Sequence, residues 1–216
     1  VLCAAIGLLG ANLATADDKA ALTAPPPGGS PSLTPPVVLT HTLSFDLARS
    51  AKIVGAKCLL NAKGHVFINS LGPAEIMQVN VEGLPANTDF DFFVIQLPNA
   101  PFGLSWYQGD IETNRNGQGH GTFIGRFNIE TFIVAPGSGI APQVHDNAFP
   151  DEDSNPATGP VHTFHLGLWF NAPADAVRAG CPGDVTPFNG EHDAGIQVLS
   201  TRNFPDARGP LIGLKP

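Results

Sequence analysis

Residues 105–134 read SWYQGDIETNRNGQGHGTFIGRFNIETFIV, and the middle of that stretch decides the architecture. The run Asn114-Arg115-Asn116-Gly117-Gln118-Gly119 places an Asn-Gly pair between two strand-like segments. Such a pair takes positive φ without steric penalty and suits a hairpin loop. Beyond the turn, Phe123, Gly125, Phe127, Ile129 and Ile133 alternate with Arg126, Asn128 and Glu130. A period of two with apolar and polar sides is the pattern of an antiparallel strand that buries one face and wets the other.

Working outward, the same vocabulary recurs. Short bursts of Phe, Val, Ile and Thr predict strands at Val37–Phe45, His65–Ser70, Ile76–Glu82, Phe90–Leu97, Ser105–Thr113, Gly121–Val134, Thr163–Phe170 and Gly195–Thr201. Only Ala48–Leu60 and Ala174–Ala179 suit a helix. The 21 Pro of this 216-residue chain all fall outside these segments and, with 24 Gly, disfavour helices throughout. The expected fold class is all-β: an antiparallel β-sandwich with long loops and one or two short helices.

The chain ends are of a different character. Residues 1–16 are apolar, end in Ala14-Thr15-Ala16 and are followed by Asp17-Asp18, the pattern of a signal peptide and its cleavage site; without a basic leader it reads as a truncated one. A short membrane anchor is the alternative, but a span needs about 20 apolar residues and Asn12 interrupts this one. Residues 17–36 contain TAPPPGGSPSLTPP, which can join neither helix nor ladder and reads as a linker. Residues 37–216 form a single β-sandwich domain. A secreted, extracellular or envelope-associated protein is expected, with no stable membrane insertion once the leader is gone.

Removal of that leader would leave Cys58 and Cys181. In an oxidising compartment two such thiols are expected to pair as a disulfide, since neither belongs to a C-x-x-C metal motif. The formal net charge of −8 repels phosphate backbones, and no Lys/Arg run overrides it, so nucleic acid is not an expected partner.

Two turns invite comparison with known sandwiches. Val81-Glu82-Gly83-Leu84-Pro85-Ala86-Asn87-Thr88-Asp89-Phe90 and Gly109-Asp110-Ile111-Glu112-Thr113-Asn114-Arg115-Asn116-Gly117 resemble the turn and hairpin of secreted immunoglobulin-like, fibronectin-like and chordin-repeat (superoxide-dismutase-like) domains. The resemblance covers about fifty residues of turn and strand. It implies an architecture and carries no activity. The histidine pattern of copper- and zinc-binding superoxide dismutases is not recognisable in the chain.

Several groups could carry chemistry. Asp151, Asp153 and Asn155 have the D-x-D-x-N spacing of a calcium loop, but Pro156 and His162 stand where an EF-hand needs Gly and Glu, leaving an irregular Ca²⁺ site or a solvated acidic loop. His162 and His165 lie three apart on a strand and point to opposite faces, so they cannot share one ion. A zinc site would have to combine one of them with His120, His145 or His192 from elsewhere, Glu191 or Asp193 assisting. The metal candidates are thus Asp151, Asp153, Asn155, His162 and His192, with no resident cofactor as the default and Ca or Zn as the ions to test. Ser105 lacks the G-x-S-x-G frame of a hydrolase elbow. Trp106 and Tyr107, beside the Pro-rich turn at 98–101, are the ligand-binding candidates, because aromatic platforms stack on sugars and anchor partners.

Together these features predict a non-catalytic secreted sandwich with a binding or structural role and an unidentified extracellular ligand or protein partner. The alternatives are a metal-dependent extracellular enzyme built on the histidines and a carbohydrate-binding module centred on Trp106 and Tyr107.

Overall fold

The computed structural model describes residues 41–127, 163–188 and 192–214. The expected all-β antiparallel organisation is present. Eight strands follow in chain order: β1 (His41–Arg49), β2 (Lys63–Ser70), β3 (Glu75–Glu82), β4 (Asp89–Ile95), β5 (Ser105–Glu112), β6 (Gly119–Gly125), β7 (His165–Phe170) and β8 (Gln197–Ser200). Two one-and-a-half-turn helices, α1 (Ala51–Ala56) and α2 (Pro173–Arg178), interrupt them. No helix among the described residues is long and apolar enough to cross a membrane.

The strands form one continuous order, β5-β4-β7-β8-β1-β2-β3-β6, whose two halves face each other across the main core. Val66, Val79 and Val81 of one half meet Phe90, Leu168, Phe170 and Leu199 of the other, all buried. The hairpin read from Asn116-Gly117 joins the two terminal strands, with a bridge between Thr113 and Gly119. Phe123 seals this corner: its ring stacks on Phe92 of β4 at 5.3 Å. Space for it comes from Gly109 and Gly121, where a Cβ would lie 3.0 Å and 2.7 Å from the ring.

Two boundaries differ from the sequence expectation. The first strand runs to Arg49 because pairing with β2 extends to Leu47 and pairing with β8 takes up Ala48 and Arg49, so the helix starts only at Ala51. Ser50 caps it, accepting from the Ile53 N–H at 3.3 Å while its hydroxyl donates to the Gln197 carbonyl at 2.5 Å. The stretch 128–134, expected to continue β6, lies outside the described residues, as do 37–40.

Cys58 and Cys181 are bonded, with Cα atoms 5.6 Å apart. Both helices deliver their cysteine in the same way. Lys57 (φ 57°) and Gly180 (φ 75°) take the left-handed conformation just after α1 and α2. The next N–H then reaches back five residues, Cys58 to the Ile53 carbonyl at 3.2 Å and Cys181 to Ala176 at 2.8 Å. This is the Schellman way of ending a helix. The bond closes a loop with a sequence separation of 123, so the chain-entropy model assigns it about 5 kcal/mol. Selective reduction, or Cys58→Ala with Cys181→Ala, is expected to remove several kcal/mol of unfolding free energy in denaturant titration; an unchanged midpoint would show that the crosslink does not stabilise the fold.

Candidate functional site

Strand β4 is buried on both sides, which is unusual for a sheet that meets water. Phe90, Phe92 and Val94 face the main core, while Phe93 and Ile95 point outward and are equally buried. A second, smaller core covers them: Trp169 of β7, Phe188, Ala194 and, at its margin, Phe102. Rings Phe93, Phe102, Trp169 and Phe188 touch pairwise at centroid distances of 4.9 to 5.5 Å. Gly167 makes this possible, since a Cβ there would stand 2.4 Å from the Trp169 ring.

The loops that bring Phe102 and Phe188 over the sheet do not close completely. Between them lies an open pocket of about 660 Å³, lined mainly by apolar residues such as Pro101, Phe102, Val185, Phe188 and Ile196, with Lys52, Asn99, Asp184, Thr186 and Gln197 as its polar members. Asn99 and Gln197 both line it, but their atoms Asn99 Oδ1 and Gln197 Nε2 are buried behind its surface and lack a hydrogen-bond partner among the described residues. Gln197 is only 5 % exposed. A buried amide group left unpaired costs about 1–3 kcal/mol, so such atoms are rare outside sites that something else completes. Lys52 and Asp184, paired at 3.0 Å and half-exposed, stand at the rim.

The opposite half of the strand order carries a polar outer face. Register aligns Asp46, His65, Asn80 and His120 in one row across β1, β2, β3 and β6. Asp46 meets His65 Nδ1 at 2.7 Å, and Asn80 Oδ1 meets His120 Nδ1 at 2.8 Å. Ser44 and Thr122, one row along, meet the remaining nitrogens of His65 and His120 at 2.8 and 3.0 Å. An open depression of about 750 Å³ lies alongside, with Lys63 and Glu82 paired at 3.2 Å within it.

The residues singled out by sequence fall in separate places. Trp106 and Tyr107 are both partly exposed, at 38 % and 39 %, but they are neighbours on β5. Trp106 stands opposite Val94 and Tyr107 opposite Phe93, so they lie on opposite faces of the sheet and do not form one stacking surface. His165 is fully buried, with Nδ1 bonded to Thr201 Oγ1 at 2.8 Å and Nε2 to the Asp206 carbonyl at 3.0 Å. Burial holds its pKa below the ordinary value, and neither nitrogen is left for a metal. His192 is exposed, with φ 59°, and not grouped with His120. Asp151, Asp153, Asn155, His145, His162 and Glu191 lie outside the described residues. Among the described residues no three His, Cys, Asp or Glu side chains come together as a metal site.

Sequence reasoning missed both the cavity and the polar row. The cavity is assembled from loops distant in sequence. The row could have been found by aligning the expected strands, which puts polar residues opposite one another at Asp46, His65, Asn80 and His120.

Tyr107 donates its hydroxyl to Asp110 on the same strand. Burial first, then this carboxylate, raise its pKa well above 10.0, and Asp91 and Asp89 add to the repulsion. Burial similarly raises Asp89, with Asp110 and Glu112 contributing. Tyr107 is the chain's only tyrosine, so alkaline titration of phenolate absorbance reads it directly. Ionisation is expected above the ordinary 10.0 and to move down in Asp110→Asn. Because the unfolded chain releases this proton first, the interaction's contribution to stability is complete below that pH and is lost as pH rises towards the folded value. A phenol titrating at or below its ordinary value would contradict the arrangement.

No family model, no curated protein and no solved structure matches the chain.

Proposed function

We propose that this is an exported binding protein whose ligand is a small, uncharged, mainly apolar molecule held in the cavity beside Phe102 and Phe188. The observation that carries this reading is the apolar lining of Pro101, Phe102, Val185, Phe188 and Ile196 around a pocket of small-molecule size, with the amide residues Asn99 and Gln197 in the same wall. A neutral ligand with one polar end suits a lining of this kind, apolar for the most part with two uncharged amide residues. The volume of about 660 Å³ falls in the usual range for small-molecule sites. A charged ligand would have to bring an ion against Phe, Pro, Val and Ile with no opposite charge free, because Lys52 and Asp184 already neutralise each other.

Export is supported by the Cys58–Cys181 bond, a type of crosslink that persists in oxidising compartments. The chain's net charge of −8 disfavours a polyanionic partner. The role this reading assigns to the pocket is carriage, sensing or adhesion outside the cell.

Phenylnaphthylamine, neutral and carrying one N–H, is a suitable probe. In a Trp106→Phe background Trp169 is the only remaining indole, and saturable quenching of its emission is expected, with a raised thermal unfolding midpoint. Phe188→Ala, which removes one wall of the cavity, is expected to weaken binding about tenfold, or about 1.4 kcal/mol. Absence of saturable quenching, or equal affinity in Phe188→Ala, would refute the assignment.

A further inference from the structure

The polar row on β1 and β2 has a connectivity that a merely solvated face does not require. Asp46 Oδ1 lies 2.7 Å from His65 Nδ1, and His65 Nε2 lies 2.8 Å from Ser44 Oγ. A carboxylate only accepts, so His65 carries its proton on Nδ1 and donates that N–H to Asp46 in a hydrogen bond. Nε2 then presents a lone pair, and the Ser44 hydroxyl donates to it. We propose that Ser44 is an activated nucleophile that accepts an acyl group from small esters, with His65 as its general base and Asp46 as the residue that positions the imidazole.

Strand register explains why these side chains meet. Ser44 and Asp46 are two apart on β1 and share the outward face, while His65 stands directly opposite Asp46 on β2. The Ser50 N–H donates to the Val198 carbonyl of the β8 segment at 2.8 Å, which puts the N–H groups of even-numbered β1 residues on the β8 side. The Asp46 carbonyl points the same way, accepting from Asn203 Nδ2 at 3.3 Å. Asp46 and His65 are therefore a non-hydrogen-bonded backbone pair, the kind in which opposed side chains come closest.

The same parity supplies a donor for the developing charge. Among the described residues β8 pairs with β1 only at Ala48 and Arg49, so the backbone N–H of Ser44 points to an edge that β8 does not pair, where Asn203 is the neighbour that reaches Asp46. An oxyanion formed on a carbonyl attacked by Ser44 Oγ would meet the N–H of that same residue. Phe67, opposite Ser44 and half-buried, gives an apolar surface for the acyl or leaving group. His120 is engaged with Asn80 and Thr122 and takes no part.

In the reaction Ser44 Oγ attacks the ester carbonyl carbon while its proton passes to His65 Nε2. The tetrahedral adduct collapses with cleavage of the ester C–O bond, and the leaving oxygen takes the proton from Nε2. The products are acyl-Ser44 and a free alcohol or phenol, and no electron is gained or lost. The face is open, with Asp46 79 % and His65 49 % exposed at the side chain, so water weakens the electrostatic help. Substrates are therefore small esters with good leaving groups, aryl esters above all.

The test uses the full chain with p-nitrophenyl acetate, following p-nitrophenol release and locating the acetyl group by peptide mass spectrometry. Acetylation at Ser44 is expected, absent in Ser44→Ala and slowed about 100-fold in His65→Gln, the lower end for a positioned general base. Asp46→Asn is expected to be slow and Asp46→Glu to recover most of the rate, which a merely structural role would not produce. These sites are exposed, so an intact disulfide and unchanged circular dichroism should accompany each variant. Saturating phenylnaphthylamine should leave the acylation of Ser44 unchanged, which separates this result from the cavity reading. Acetyl groups on lysines alone, or equal Ser44 acetylation in the parent and His65→Gln, would overturn the proposal.

Discussion

A strand buried on both faces has no wet side, and β4 imposes that condition on the rest of the molecule. Phe90, Phe92 and Val94 are satisfied by the opposing half of the strand order; Phe93 and Ile95 need a second cover. Burying an aromatic or large aliphatic side chain is worth roughly 1.5–3 kcal/mol, so leaving both exposed would sacrifice a large share of a domain's net stability. The cover comes from two segments, 96–104 and 184–188, which carry Phe102 and Phe188. Loops are coarser than sheets at filling space. The gap that remains between them, with Asn99 and Gln197 in its wall, is a direct consequence of covering a sheet with irregular chain.

The disulfide belongs to the same logic. It joins the C-terminal ends of α1 and α2, and Asp184, three residues beyond Cys181, pairs with Lys52 of α1 at the rim of the cavity. Anchoring Cys181 therefore limits how far the 184–188 cover can lift from the sheet. The two helices are too short to persist alone. They hold because Ile53 and Ala176 are buried in the main core and the crosslink fixes both helix ends.

Much of the fold was legible because each strand announces itself by a period of two and each turn by Gly, Pro or Asn. The Asn116-Gly117 hairpin, the separation of β2 from β3 and the pairing of Cys58 with Cys181 all follow from local pattern or simple counting. Three features did not. The offset of β1 depends on partners contributed by β2 and β8, which no local propensity contains. The second core was hidden because an outward Phe93 or Trp169 reads like any other alternating residue until its cover is known. His165 invited a metal reading, yet its burial and its bonds to Thr201 and Asp206 are tertiary facts.

The most direct measurement is the side-chain amide resonance of Gln197 in a nitrogen-labelled sample, followed by two-dimensional NMR as a neutral apolar probe with one hydrogen-bonding group is added. If the cavity is a ligand site, this resonance and that of Asn99 shift together and saturate, while Asn80 on the far face stays still. If Gln197 does not respond while the probe binds elsewhere, the cavity is only a packing defect and the binding assignment fails.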